Sequence, residues 1–276
     1  MTPVGKFLSN PSALVGVMIL SCLIVICIVG PSIVPYPPFK QNTAIKLTPP
    51  NSEHWLGTDE FGRDVLSRLI VGSRYSLTAG FVSVGRGLVG GLFLGIPAGF
   101  YGGIIDKIVM LFCDIMLAFP GVLLSMAIVM VMGQGIYTPM LAVGISSVPV
   151  FARLVRAQLL TLRDAPYVEA ARCAGTGDMK IIYKHLLPNS LGPVVIQATL
   201  RMGSAILTAA TLSFLGFGAQ PPDPEWGAML STARPYFWTA PYLAIVPGLA
   251  ITVTVIAINL VGDALRDYLD PRLRQQ

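Results

Sequence analysis

Few residues in this 276-residue chain could carry covalent or metal chemistry. There are two histidines, His54 and His185, and four cysteines at 22, 27, 113 and 173. The cysteines form no CxxC pair. Cys22, Cys27 and Cys113 fall in apolar runs, where free thiols behave as small hydrophobes rather than redox or metal groups. The histidines are far apart in sequence and fall on opposite sides of the membrane expected below, so no metal site is assigned. No GxxxxGK[ST] pattern occurs, so nothing here is built to cradle a nucleoside triphosphate. An intramembrane enzyme would need a nucleophile with its base, or paired ligands, at helical spacing. The apolar segments hold no histidine and no such constellation.

The most polar stretch is "EAARCAGTGDMKIIYKHLLP", Glu169 to Pro188, inside a charged island spanning 153–192. Asp164-Ala165-Pro166 breaks the preceding helix, and Pro166 suits the first turn of the next one, where its missing N–H costs little. That helix is predicted over 167–174. It stops at Gly175, a residue that accepts positive φ after a helix end. Thr176 is expected to cap a second helix, with Asp178 in its first turn, and Pro188 to end it. Met179, Ile182 and Leu186 share an apolar stripe, with Lys180 and Lys184 on another side. A compact polar helix pair between apolar segments is a handle by which something outside the membrane can move membrane helices.

Those apolar segments position the handle. Hydrophobic residues make up 54% of the chain and charged ones 12%, about half the share usual in soluble domains. Six runs meet or approach the roughly 20 residues that a helix needs to cross a bilayer. They are 13–34, 76–100, 108–132, 140–151 with flanks, 193–217 and 242–261. The fourth is the weakest, shortened by Pro149 and Arg153, and is expected to continue as a helix beyond the membrane. The first is too long for a signal-peptide core and ends without a small-x-small site, so it reads as an anchor. With the N-terminus inside, eleven Lys and Arg residues fall on inner segments and six on outer ones, and the island alone supplies six. That bias places both termini in the cytosol. The net charge of +5 is thus a topology signal and not a nucleic-acid footprint. Ahead of the second span, residues 65–74 are predicted as an amphipathic helix along the outer interface, with Asp64, Arg68 and Arg74 on its polar side.

Within the spans, Gly87, Gly91, Gly95 and Gly99 recur every fourth residue. Such a stripe lets another helix approach closely, in this subunit or in a partner. Arg86 falls near mid-bilayer, where a charge costs several kcal/mol on insertion scales unless it meets water or a partner. It reads as lining a transport path or pairing with a neighbouring subunit, against snorkelling to an interface. Arg201 and Asp114 lie nearer the inner ends of their spans, where snorkelling or an inter-helix ion pair serves. Pro120-Gly121 and Pro247-Gly248 interrupt the third and sixth spans, as in helices bent around a gated path. A secondary transporter is the alternative of another class. It would typically show repeated halves and mid-membrane acidic residues, and neither is evident.

The stretch from Glu169 to Pro188 resembles the EAA loop of ABC-importer permeases: Glu-Ala-Ala, a glycine four residues after the last alanine, and Leu187-Pro188 near the end. "HWLGTDEFGRDVLSRLIVGSRYSL" (54–77), "SFLGFGAQPPDPEWGAML" (213–230) and "NLVGDALRDYLDPRL" (259–273) resemble the C-type permease of the dipeptide/oligopeptide/nickel importer family. The resemblance covers nearly the whole chain. It implies an all-α membrane protein of six transmembrane helices, with the type I ABC-importer permease fold and a cytosolic coupling helix. The implied organisation is an anchor and outer loop over 1–75, a core over 76–265 and a cytosolic tail over 266–276. It also implies a homologous B-type permease, two cytosolic ATPase subunits that bind the ATP and Mg, and an extracytoplasmic solute-binding protein. This chain itself would be non-catalytic and hold no cofactor. Glu169 would meet the ATPase surface, Ala170 and Ala171 would allow close approach, and Gly175 would make the turn, with Asp178, Leu187 and Pro188 completing the motif. Short peptides are the expected cargo, with glutathione or nickel chelates as alternatives.

Overall fold

The computed structural model describes residues 11–269. Lys6, Arg272, Arg274 and the tail from 270 onward, to which the expectations above assign topology and a resemblance, lie outside them. Ten α-helices follow in order among the described residues: α1 Pro11–Ile33, α2 Val65–Tyr101, α3 Gly103–Ala118, α4 Gly121–Met132, α5 Thr138–Leu162, α6 Pro166–Cys173, α7 Asp178–Ile181, α8 Leu187–Phe214, α9 Trp226–Ala233 and α10 Tyr242–Leu269. Short 3₁₀ turns fall at Thr43–Ile45 and Arg234–Tyr236. Five helical stretches are long and apolar enough to cross a membrane, and the α3–α4 pair makes a sixth span if its two arms count as one.

Two of the expected boundaries move, each for a physical reason. The separate interfacial helix before the second span does not exist, because α2 is one continuous helix from Val65 to Tyr101. Asp64 caps its start, accepting from the Ser67 N–H at 2.8 Å, and nothing in 65–76 breaks it. Arg68, expected on a wet face, is buried. The third span is more than kinked. At Phe119-Pro120 the chain leaves helical geometry and α3 and α4 diverge by 96°. The fourth helix continues past its shortened apolar run as expected, with Pro149 inside α5, which extends to Leu162.

The glycine stripe explains how α2 meets α5. A Cβ on Gly87 would lie 2.9 Å from the Ser147 Cβ, one on Gly95 2.6 Å from the Ala152 carbonyl, and one on Gly99 2.8 Å from the Leu159 Cβ. One on Gly91 would overlap the Phe151 Cβ. The four glycines are therefore consumed by packing inside this chain, where close backbone approach replaces the hydrophobic drive that lipid does not supply. Gly80 does the same for α8, meeting Ile206, and Gly16 of α1 meets Leu260 of α10.

Candidate functional site

At one end of the bundle, α6 and α7 form the hairpin expected from the polar stretch. Pro166 opens α6, with Ala165 in extended geometry before it. Gly175 ends it at φ +75°. The Gly175 N–H bonds to the Arg172 carbonyl at 2.9 Å and the Thr176 N–H to the Ala171 carbonyl at 3.0 Å. These are the paired bonds of a Schellman turn. Thr176 does not cap α7: Gly177 stands there and contributes no side-chain bond.

The hairpin rests on a firm seat. Val168 of α6 is fully buried with Phe100, Val155, Leu159, Ile181, Ile182, Leu186 and Val194, so one cluster joins the ends of α2, α5 and α8 to the hairpin. The Arg172 guanidinium adds a contact over the Phe100 ring, 5.8 Å from its centroid. Glu169, Ala170, Gly175 and Asp178 are exposed, whereas Ala171 is half-buried and packs against the cluster. The two alanines thus divide the work: Ala170 faces outward and Ala171 inward. Met179 is exposed rather than part of the apolar stripe, and Ile181 takes its place.

Pro188 does not end the second helix. A π turn over Ile182–Leu186 joins α7 to α8, with the Leu187 N–H reaching back to the Ile182 carbonyl. Proline lacks the N–H for the regular bond and its ring crowds the carbonyl four residues back, and widening the turn relieves that conflict. Pro188 is exposed and Leu187 half-buried.

The opposite end carries a buried polar knot that the amphipathic reading missed. Asp59 accepts from Arg63 Nε at 2.6 Å and from Arg68 Nε at 3.3 Å, and Arg63 also meets Glu60 at 3.2 Å. Arg68 donates to the carbonyls of Pro38 at 3.2 Å and Pro222 at 3.1 Å, tying two distant loops to the start of α2. His54 Nδ1 lies 2.9 Å from Asp64, and Trp226 Nε1 donates to the Leu69 carbonyl at 2.9 Å. Burial and the adjoining Asp59 raise the Glu60 carboxyl above its ordinary value. Burial likewise raises that of Glu225, which caps α9 by accepting from the Ala228 N–H at 2.8 Å and meets Ser76 of α2 at 3.3 Å. The "GTDEFGRD" and "PDPEWG" runs were the available signal, with acids and arginines too dense for a solvated loop.

The intramembrane candidates separate. Asp114 of α3 pairs with Arg153 of α5. Asp106 and Arg156 pair between the same two helices, with Arg156 Nη2 2.6 Å from Asp106 Oδ2. Pro120 is exposed at the α3–α4 break. Arg86 is exposed, with its Cβ beside Gly144 of α5. Because α8 starts at Leu187, Arg201 stands midway along it and not near an end.

The geometry is that of a helical membrane bundle carrying an exposed hairpin at one end. Comparison with known proteins gives its kind. Residues 91–275 match the binding-protein-dependent transport system inner membrane component family. Residues 4–50 match the N-terminal TM domain of oligopeptide transport permease C. The chain is 44% identical over 265 residues to the dipeptide transport system permease protein DppC of Alkalihalophilus pseudofirmus, covering 96% of this chain and 87% of the relative. It is 52% identical over 225 residues to the glutathione transport system permease protein GsiD of Pectobacterium atrosepticum, covering 82% and 75%. Among solved structures it shares the fold of the MetNI methionine ABC transporter, with TM-score 0.59, 22% identity, and coverage of 74% of this chain and 96% of that one. The chain belongs to the binding-protein-dependent transport system inner membrane component family. It is a multi-pass inner-membrane permease subunit of an ABC importer, in a family that works in complexes with ATPase and binding-protein components.

Proposed function

We propose that this chain pairs with a homologous B-type permease to form the translocation path for di- and oligopeptides. A solute-binding protein delivers the cargo from outside, and two cytosolic ATPase subunits, which hold the ATP and Mg, drive transport. This chain hydrolyses nothing and needs no cofactor of its own. The peptide cargo is supported by relatives named for dipeptide and di/tripeptide transport. A glutathione cargo is the second reading, favoured by the relative at 52% identity; glutathione is itself a modified tripeptide.

The observation that carries the reading is the α6 hairpin, an exposed helix seated on a cluster shared by α2, α5 and α8. A push on α6 reaches three membrane helices through close-packed side chains, which transmit displacement because interiors are as dense as crystals. In this reading Glu169 and Ala170 meet an ATPase groove, and Gly175 and Asp178 hold the hairpin's outer turn. Leu187 and Pro188 anchor it to α8, and Ala171 sets its seat. Arg86, Arg201 and the Pro120 break belong to the path or the permease–permease contact. The lysine and arginine bias places the hairpin and both termini in the cytosol of a bacterium or archaeon.

Two measurements test this. Single cysteines at Glu53 and Asp223, on a cysteine-free background, should label from outside, and one at Asp178 should not. The reverse pattern overturns the topology. Membranes holding the full complex should take up dialanine only with ATP and the binding protein; uptake without the ATPases overturns the function.

A further inference from the structure

We infer that a polar stripe on α8, formed by Gln197, Arg201, Ser204, Thr208 and Thr211, is this chain's wet wall of the translocation path, and that Arg201 receives an anionic group of the cargo as it passes. The inference rests on the importer reading above and adds to it where the cargo travels and what part of it the wall recognises.

The five residues recur at spacings of four and three, which places them on one helix face. The opposite face, with Ile206, Ala209, Ala210 and Ser213, is buried in the bundle. Ser204 is exposed, and Gln197, Arg201, Thr208 and Thr211 are half-buried. A guanidinium and a carboxamide midway along a spanning helix find no hydrogen-bond partner in lipid. Nor do they find one in this chain: among the described residues neither the Arg201 nor the Gln197 side chain makes a hydrogen bond or ion pair. The contrast lies within the same bundle, where Asp114 pairs with Arg153 and Asp106 with Arg156. Arg86 is also unpaired, but it shares its face of α2 with exposed Val89 and Phe93 and no polar ladder.

The hydroxyls add direction. Ser204, Thr208 and Thr211 donate to the carbonyls of Arg201, Ser204 and Leu207 at 2.9, 2.8 and 2.8 Å. With those protons committed, the oxygens present only lone pairs outward. The stripe therefore offers one fixed cation for a carboxylate, and a row of weak acceptors for ammonium and amide N–H groups. Ser204 and Thr208 are about 6 Å apart along the axis, the reach of a dipeptide. The fit is to a zwitterionic peptide, carboxylate at Arg201 and nitrogen groups along the hydroxyls. The oxygens bind weakly enough to release the cargo, as conduction along a path requires.

The test uses the complete permease–ATPase complex in proteoliposomes, with the four native cysteines replaced. Single cysteines at Ser204 and Thr208 should react with a charged, membrane-impermeant thiol reagent about tenfold faster or more than cysteines at Val25 and Ile28, exposed apolar positions on α1. Dialanine with its binding protein should slow the reaction at 204 and 208 only. Arg201→Lys should retain most uptake per ATP hydrolysed, and Arg201→Gln should lose about tenfold, the scale of one charge-assisted hydrogen bond. Equal reactivity at all four cysteines, or full uptake by Arg201→Gln, overturns the inference. Should Arg201→Gln fail to assemble, the labelling decides. If the unsubstituted complex takes up no dialanine while the stripe still labels, the peptide reading falls and the wet wall stands.

Discussion

Replacing Gly175 separates backbone strain from bulk, because the space around it is empty. No atom lies within 4 Å of where its Cβ would stand, yet its φ is +75°. Any substitution there costs only what an L-residue pays to hold left-handed geometry. For alanine that is about 1–2 kcal/mol. Asparagine, which tolerates this region through local hydrogen bonds, costs less. Valine, β-branched, falls toward the upper end of the roughly 1–3 kcal/mol typical of such strain. The strain is relieved by opening the Schellman turn, which lets go of the Ala171 and Arg172 carbonyls and frees the end of α6. A cost of one to two kcal/mol lowers the ratio of closed to open hairpin roughly 5- to 30-fold. Binding of purified ATPase subunits to the permease pair in nanodiscs should weaken in the order Gly175, Asn, Ala, Val, with stimulated ATP hydrolysis following. Gly177→Ala is the control, since that residue is also open but has φ −68°, and should behave as wild type. Equal binding by the valine and glycine proteins, or asparagine weaker than valine, would refute the strain argument.

Four further outcomes are expected. Ala170→Glu should release the ATPases without altering thermal unfolding of the bundle, whereas Ala171→Glu, placing a charge against the Val168 cluster, should lower the unfolding temperature as well; identical thermograms would contradict the assigned orientations. Gly91→Ala forces a Cβ into Phe151 and should destabilise by about 1–3 kcal/mol of overpacking, read as earlier aggregation in detergent, while Gly121→Ala, with open space, should not. Arg68→Ala strips the Pro38 and Pro222 carbonyls of their donor and should expose the loops on both sides to protease about tenfold faster, as expected for breaking a buried charge network; Arg68→Lys, a single donor point, should rescue little. Burial raises the Glu225 carboxyl above its ordinary 4.5, so the folded state binds more protons there than the unfolded one. Its contribution is fully present below that ordinary value and is lost as pH rises through the folded value, and Glu225→Gln should flatten this part of the pH–stability profile in unfolding scans.

The membrane spans were legible in the sequence because lipid imposes one length and one polarity on them. The α6 hairpin was legible because Pro166 and Gly175 each act through their own backbone, whatever surrounds them. Legibility failed where partners are far away in sequence. Arg68 looked like a wet residue on an amphipathic turn, and only the fold brings the carbonyls of Pro38 and Pro222 to it. Asp64 and Glu225 are helix caps whose ordinary sequence signal was there to be read. The 96° break at Pro120 was foreseeable as a disruption but not as an angle, since proline removes a bond without dictating the new direction. Ala171 was assigned outward with Ala170 because neighbouring alanines look alike until the buried cluster beneath them is known. Pro188 was read as a stop, and the widened turn that carries the helix through it into α8 leaves no mark in composition.

That widened turn also sets a phase. A π turn holds one residue more than the α-helical turn it replaces, so α7 is rotated about α8 by roughly one residue's 100° relative to an uninterrupted helix. Ile181, Ile182 and Leu186 all face the shared cluster with that offset in place. Deleting one residue between 182 and 186 would restore regular winding, yet leave the hairpin clocked wrongly against the bundle, every residue intact and the exposed face of α6 turned aside. The hairpin is therefore indexed to the membrane helices like a key on a shaft. Chimaeras that exchange hairpins between permeases should work only when the splice keeps the extra residue, whatever the identity of the residues exchanged.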